Sequence, residues 1–494
     1  MSAEHELERM FNPRSIAVVG ISAKEAGSAW AAGGMQYVTQ YQRLGFEGRI
    51  YPIHPTFTEP IGGLKTYPSL AAVPEPIDLV VVCVRNTGVP SVLEECVKVG
   101  ARNIHIFSGG FSEMGEPEGI ELEKEVVEIA KKGGLRIIGP NCMGLAYVPS
   151  AKLSVWPILP PKSGPVAYVS QSGVNCFQFI TYGLSMGLFF SKVISYGNGP
   201  VLDSTDYLDY LAQDGETKII CMYTEGVKDG RKFTKLAKEV NKKKPIVIWK
   251  AGISAAGARA AASHTGALAG DENIWDAFFK QTGAIRANSL EDLADITMTL
   301  AYMAPPPRSH RVGVMLGGGG YSVQTADLCS REGLELPVFS PETIAKLKTI
   351  VPLVGTGFKN PLDSEPMAES SSMITQAIQA LAADPQIDTV IMSTELGFLR
   401  KPERVTELND NLCRFVKENP YKKSFTAIMD TAMASKEMKE PADQLRKDLP
   451  KAGIPIHRTM ARLLRAVAKV AEYYEFQRKA QAQPSAGVRK MAKD

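Results

Sequence analysis

Three stretches of this chain repeat one grammar: a β-branched apolar run, a glycine-containing loop, then a helix-like segment. The first begins at Ser15-Ile16-Ala17-Val18-Val19-Gly20. The second begins at Gly164-Pro165-Val166-Ala167-Tyr168-Val169 and the third at Arg311-Val312-Gly313-Val314-Met315-Leu316. Further apolar runs follow the first at 49–53, 79–84, 104–107 and 135–138, with helical stretches such as 90–99 and 120–131 between them. Runs at 191–195, 219–223 and 245–250 follow the second, and runs at 389–392 and 424–429 the third. Strand and helix alternating at roughly 30-residue spacing is the mark of βαβ units and predicts parallel sheets. The expected fold class is therefore α/β.

Proline clusters mark the joins. Pro157, Pro160, Pro161 and Pro165 crowd the first, and Pro305-Pro306-Pro307 the second. Such runs continue neither a helix nor a central strand. With 494 residues and a single core rarely exceeding roughly 250–300, several domains are required. The expected division is 1–150, 151–306 and 307–475, with a small, polar and basic tail over 476–494.

Charge narrows the function classes. Basic residues number 56 and acidic 53, spread along the chain, so nothing points to a nucleic acid or an anionic membrane. The seven cysteines include no Cys-x-x-Cys pair, which argues against a disulfide framework and a zinc site. No metal ligand set is expected. The charged start MSAEHELERM lacks an apolar signal core, and no run reaches the roughly 20 apolar residues of a membrane span. The expected location is a reducing cytoplasm.

Four loops could carry chemistry. Gly20 ends a strand and leads into Ile21-Ser22-Ala23-Lys24, where a helix start could offer amides to a phosphate. The loop lacks the Gly-x-Gly-x-x-Gly dinucleotide fingerprint, so NAD is not indicated, and a plain βα turn would read the same way. Ser170-Gln171-Ser172-Gly173 repeats the arrangement, as an anion cradle or as a helix N-cap. Gly317-Gly318-Gly319-Gly320 does so again, as a phosphate contact or a domain-docking turn. His264 is one of only six histidines and sits among small residues in Ala262-Ser263-His264-Thr265-Gly266. An imidazole nitrogen can accept a phosphoryl group at neutral pH once a neighbour fixes its tautomer. Glu225, just past the run 219–223, is the candidate orienting carboxylate.

Phe107-Ser108-Gly109-Gly110-Phe111-Ser112-Glu113-Met114-Gly115, Ile138-Gly139-Pro140-Asn141-Cys142-Met143-Gly144 and Ser170-Gln171-Ser172-Gly173 resemble consecutive signatures of NDP-forming acyl-CoA synthetases. That superfamily includes succinyl-CoA ligase and ADP-forming acetate–CoA ligase. Ser263-His264-Thr265-Gly266-Ala267-Leu268-Ala269-Gly270 resembles its phosphohistidine loop, and Asn360-Pro361-Leu362-Asp363 and Gly453-Ile454-Pro455-Ile456 also match. The resemblance runs from about Phe11 to about Tyr474.

The resemblance implies a CoA-binding Rossmann-like domain followed by two flavodoxin-like domains. It implies interconversion of acyl-CoA, ADP and phosphate with carboxylic acid, CoA and ATP, through acyl phosphate and a phosphohistidine at His264 held by Glu225. Gly20, Ser22, Ala23 and Lys24 would form the CoA-phosphate loop. Pro55, Val84, Arg85, Ser108, Gly109, Asn141 and Cys142 would lie along the rest of the cofactor. Ser170, Gln171, Ser172, Gly173, Gly318, Gly319 and Gly320 would face phosphate. The family's ATP-grasp module is not in this sequence, which implies a partner β subunit in an α2β2 assembly carrying ATP or ADP and Mg²⁺. Two other classes remain: a CoA- or acyl-CoA-binding sensor or scaffold, which needs neither His264 nor Glu225, and a nicotinamide-dependent dehydrogenase, which the missing fingerprint disfavours.

Overall fold

The computed structural model describes residues 4–21, 33–57, 59–156, 159, 162–254, 256–257 and 271–482. The chain forms two compact units, Met1–Asn288 and Ser289–Asp494.

The first unit contains two sheets. In the first, β1 (Ser15–Val19), β2 (Arg49–Ile53), β3 (Leu79–Val82), β4 (Asn103–Ile106) and β5 (Arg136–Ile138) are all parallel, in the order β2-β1-β3-β4-β5. All five residues of β1 are buried, as expected of a parallel strand covered on both faces. Burying each such apolar side chain contributes about 1.5–3 kcal/mol. Helix Val89–Val99 lays Leu93 and Cys96 against this core, and helix Pro117–Gly133 adds Val126 and Ala130.

The second sheet holds β6 (Gly144–Val148), β7 (Leu153–Ser154), β8 (Val166–Ser170), β9 (Phe190–Ser195), β10 (Ile219–Thr224), β11 (Ile246–Lys250) and β12 (Ile285–Ala287). Its order is β12-β11-β10-β8-β9-β6-β7. Strands β8 to β12 are parallel, whereas β6 runs antiparallel to β9 and to β7. The β6–β7 hairpin covers the β9 edge and follows the Pro140-Asn141 turn directly, so the two sheets share a continuous stretch of chain. The Phe11 and Tyr210 rings stack at 4.2 Å and add an aromatic contact to the unit's interior.

The second unit is built on β13 (Val312–Leu316), β14 (Thr356–Gly357), β15 (Leu362–Ser364), β16 (Thr389–Glu395) and β17 (Ser424–Asp430), ordered β14-β15-β13-β16-β17. Only β14 is antiparallel. Helix Leu290–Tyr302 groups with this unit although its residues precede the Pro305–Pro307 run. Its Asp295 is 1% exposed and paired with His457 at 3.3 Å and with Arg462. That buried cluster ties it to the C-terminal helix Met460–Ala482, which continues past residue 475.

The three sheets share one topology. Numbered from its own first parallel strand, each runs 2-1-3-4, and the first two continue to a fifth strand. This is the flavodoxin-like order, in which neighbouring crossovers diverge beside the first strand and leave a crevice at the strands' carboxyl ends. The crevices lie between β1 and β3, between β8 and β10, and between β13 and β16.

All seven cysteines are free thiols. Among the described residues, no helix is long and apolar enough to cross a membrane, and no group of three metal-ligating side chains converges.

Candidate active site

The first crevice brings together residues far apart in sequence. Gly20 has φ of +90°, and a Cβ there would lie 2.7 Å from both Cys83 C and Val84 N. Only glycine allows β1 to leave the sheet this close to the end of β3. Ser108 Oγ donates to Val84 O, and the Asn141 amide donates to Ser108 O at 2.9 Å. A Cβ on Gly109 would sit 3.3 Å from Asn141 Oδ1. Val84, Ser108, Gly109 and Asn141 therefore line one side of the crevice, with Gly20 packed against the Cys83–Val84 backbone. Ser22, Ala23 and Lys24 lie outside the described residues.

Pro55 and Arg85 are exposed, at the ends of β2 and β3. Beside Pro55, His54 Nδ1 accepts from the Phe57 amide at 2.9 Å. Cys142 is different. It is 5% exposed, with its thiol directed at Ile106 O, and burial pushes the thiol up to about 12. Its carbonyl lies 3.3 Å from His105 Nε2, and burial lowers that imidazole to about 4 despite this bond. Both side chains are packed and neutral at pH 7, so Cys142 meets its surroundings as core.

A polar network centred on Asn198 joins the two sheets. Glu113 accepts from the amides of Gly110 and Phe111, which holds the Ser108–Gly110 loop. Asn198 Nδ2 donates to Glu113 Oε2 at 2.7 Å and to Glu123 Oε2 at 2.8 Å, and its amide donates to Pro140 O. Gly197 precedes it at φ of +58°, where a Cβ would lie 2.2 Å from Pro140 O. Tyr-Gly-Asn-Gly after an apolar strand was the available signal, since such a turn lets backbone approach closely.

The second crevice holds the Ser170–Gly173 turn and Glu225. Ser170 Oγ donates to Ser172 O at 2.9 Å and accepts from the Ser172 amide at 3.1 Å, closing the turn on itself. Ser172 caps helix Gly173–Met186 by accepting from the Asn175 amide. The N-cap role thus accounts for the Ser172 hydroxyl. Gln171 reaches sideways to the β10 end, where its Oε1 accepts from Glu225 N at 2.5 Å, Gly226 N at 3.1 Å and Thr224 Oγ1 at 3.2 Å. These donors fix the amide's orientation and leave Nε2 as its donating end.

Glu225 is 4% exposed, and the Tyr223 hydroxyl donates to its Oε1 at 3.3 Å. Burial first, and the Glu225 charge second, hold the Tyr223 phenol well above its ordinary range. Next to it, Lys250 closes β11 and is 3% exposed. Its Nζ donates to Glu225 O at 2.8 Å and to Ala251 O, and lies 5.6 Å from the Trp275 ring centre. Burial lowers the Lys250 pKa, opposed by the charge of Glu225. His264 lies outside the described residues. Strand β11 ends at Lys250, and Asp271 caps helix Glu272–Thr282 by accepting from Asn273 N.

In the second unit, the Gly318 amide already donates to Asp363 Oδ1 at 2.7 Å. Gly319 and Gly320 open helix Gly319–Arg331, and nothing within 4 Å would meet a Cβ on Gly320. Asn360 explains the other part of its motif: Oδ1 accepts from Val314 N, and Nδ2 donates to Val312 O, bracing β13. A cavity of about 480 Å³ opens beside the loop, lined by Gly317, Tyr321, Thr394, Glu395, Asp430 and Arg458.

Residues 14–148 match a CoA binding domain model, and residues 163–300 a succinyl-CoA ligase like flavodoxin domain model. The chain is 37% identical over 455 residues to the ADP-forming acetate–CoA ligase II subunit alpha of Pyrococcus furiosus, covering 91% of this chain and 94% of that protein. It is 36% identical over 411 residues to ADP-forming acetate–CoA ligase I of Archaeoglobus fulgidus, covering 82% of this chain but only 58% of that protein's length. Its structure is similar to that of dinucleotide forming acetyl-coenzyme A synthetase 1 of Ca. Korarchaeum cryptofilum, solved in complex with phosphate and ADP. The TM-score is 0.82 at 32% identity, over 97% of this chain and 100% of the other. This chain belongs to the ADP-forming acyl-CoA synthetases, a family of acid–thiol ligases.

Proposed function

We propose that this chain is the CoA-binding, phosphohistidine-carrying subunit of an ADP-forming acyl-CoA synthetase. The observation that carries the reading is the meeting of the Ser170–Gly173 turn with buried Glu225 at one crevice, beside the root of the segment bearing His264. The three sheets support a CoA-binding domain followed by two ligase domains.

The first crevice fits CoA. Val84, Ser108, Gly109 and Asn141 supply polar main chain and side chain beside Gly20, and we assign the CoA phosphates to Gly20, Ser22, Ala23 and Lys24. Arg85 and Pro55 flank the opening. Cys142 supports this wall from within the core.

In the second crevice, phosphate displaces CoA from the acyl group, giving acyl phosphate and free thiol. His264 then attacks phosphorus, and the carboxylate leaves as the P–O bond breaks. Glu225 accepts from one ring nitrogen of His264, which leaves the other nitrogen's lone pair for phosphorus. The amides at the start of helix Gly173–Met186 and the Gln171 Nε2 donor stabilise the phosphoryl oxygens. In the second unit we assign phosphate contact to the Gly319 and Gly320 amides, the Gly318 amide being held by Asp363.

Transfer from His264 to ADP needs a nucleotide site, which we assign to an ATP-grasp β subunit in an α2β2 complex. Mg²⁺ there would neutralise the nucleotide phosphates. The seven free thiols suit a reducing cytoplasm.

The reading is tested by assaying acid- and CoA-dependent ATP consumption with the ATP-grasp partner across a panel of carboxylic acids. Turnover that vanishes in His264→Ala, with CoA affinity retained, is the expected result. CoA binding without turnover for any acid would favour a sensor instead.

A further inference from the structure

Glu225 is gripped through its backbone from two sides. On one side its amide donates to Gln171 Oε1 at 2.5 Å, from the turn after β8. On the other its carbonyl accepts from Lys250 Nζ at 2.8 Å, from the end of β11. The parallel register places Thr224 opposite Lys250, so the lysine side chain has only to fold back across one strand to reach residue 225.

A lysine is a costly way to satisfy one carbonyl. The side chain is 3% exposed, and a buried ammonium loses most of its hydration. It is compensated by the carbonyls of Glu225 and Ala251, by the Trp275 ring and by the nearby Glu225 charge. Two of these contacts, Glu225 O and Ala251 O, lie just past the ends of the neighbouring strands β10 and β11. One of them belongs to the segment that leads toward His264.

We propose that Lys250 is a positioning residue for the phosphoryl-transfer step, acting through Glu225. With Gln171 it fixes the Glu225 main chain at both its N–H and its C=O, and so the direction of the carboxylate. It also pins Ala251, the first residue of the departing segment, to the same point. The inference rests on the proposed role of Glu225 as the group that orients His264.

A double-mutant cycle tests it. The chain with its ATP-grasp partner, Mg²⁺ and ATP is followed for the rate of acid-labile phosphate incorporation, in wild type, Lys250→Met, Glu225→Gln and the double variant. Thermal unfolding and CoA affinity are read alongside. Lys250→Met is expected to slow incorporation by about 10- to 100-fold, since a misplacement of about 1 Å at a reacting group can cost about 100-fold, with CoA affinity unchanged. The double variant is expected to be no slower than Glu225→Gln alone, because residues acting as one unit are not additive. A wild-type rate in Lys250→Met overturns the inference, as do multiplicative defects in the double variant or a parallel loss of CoA binding. If Lys250→Met does not fold, Lys250→Arg, which keeps the charge but displaces the donors, replaces it in the same cycle under the same criteria. Absence of phosphate on the wild type would instead overturn the proposed function, so the two failures are distinguishable.

Discussion

A Cβ atom on Gly20 would lie 2.7 Å from the backbone nitrogen of Val84, inside the contact limit of any real side chain. The φ of +90° adds backbone strain for any other residue. Gly20→Ala is therefore expected to destabilise the first unit by about 1–3 kcal/mol and to part the β1 and β3 ends. Calorimetric titration should show weakened CoA binding, together with a lowered melting temperature. Unchanged values of both would place the cofactor elsewhere.

Asn198 shares one amide nitrogen between Glu113 and Glu123. In Asn198→Ala the two half-buried carboxylates face each other without that donor. The expected loss is about 1–3 kcal/mol, the cost of unmade buried hydrogen bonds. Denaturant titration measures it, and a weaker hold on the Ser108–Gly110 loop should lower CoA affinity as well.

The contrast between these two sites shows what the sequence could reveal. Gly20 was legible because a glycine after a buried strand is a local signal, and β1 spans the Ser15–Val19 run read from the sequence. The strand after Gly164-Pro165 and the one closing at Lys250 were legible for the same reason. Asn198 was not, since its partners lie 85 and 75 residues away and no local pattern records such a pairing. Lys250 was visible as the polar end of Ile-Val-Ile-Trp-Lys, but its role depends on register with β10, which only the fold supplies. The hairpin β6–β7 was hidden by its length, Leu153–Ser154 being two residues. For Gly318 the glycine run suggested a free amide, and Asp363 from the next strand takes it.

Asp295 gives the second unit a dependence on acid. Burial raises its pKa, but hydrogen bonds from His457 and Arg462 outweigh this and hold it below the ordinary value. A carboxylate with a depressed folded pKa contributes stability above its unfolded pKa of about 3.9, and that stability is lost as pH falls through the folded value. Denaturant midpoints measured from pH 6 downward should fall more steeply in wild type than in Asp295→Asn below about pH 4. At pH 7 the substitution should cost about 1–3 kcal/mol, since a neutral amide replaces the buried carboxylate that accepts from His457 and Arg462.

Cys142 should behave as core. With its thiol raised to about 12 by burial, almost none is thiolate at pH 8. Iodoacetamide at that pH is expected to leave Cys142 unmodified in the folded protein and to label it once the protein is denatured. Rapid native labelling, located by peptide mass mapping, would show that the wall carrying Asn141 is open.

Phosphorylation of His264 changes the intact mass of the chain. The chain is incubated with its ATP-grasp partner, Mg²⁺ and ATP at neutral to basic pH, and its intact mass is compared with that of His264→Ala. A gain of about 80 Da that is acid-labile and absent from the variant is the expected result, since a phosphoryl group on imidazole is stable only away from acid. No gain on a wild-type chain that still binds CoA, or an equal gain on His264→Ala, would contradict the relay.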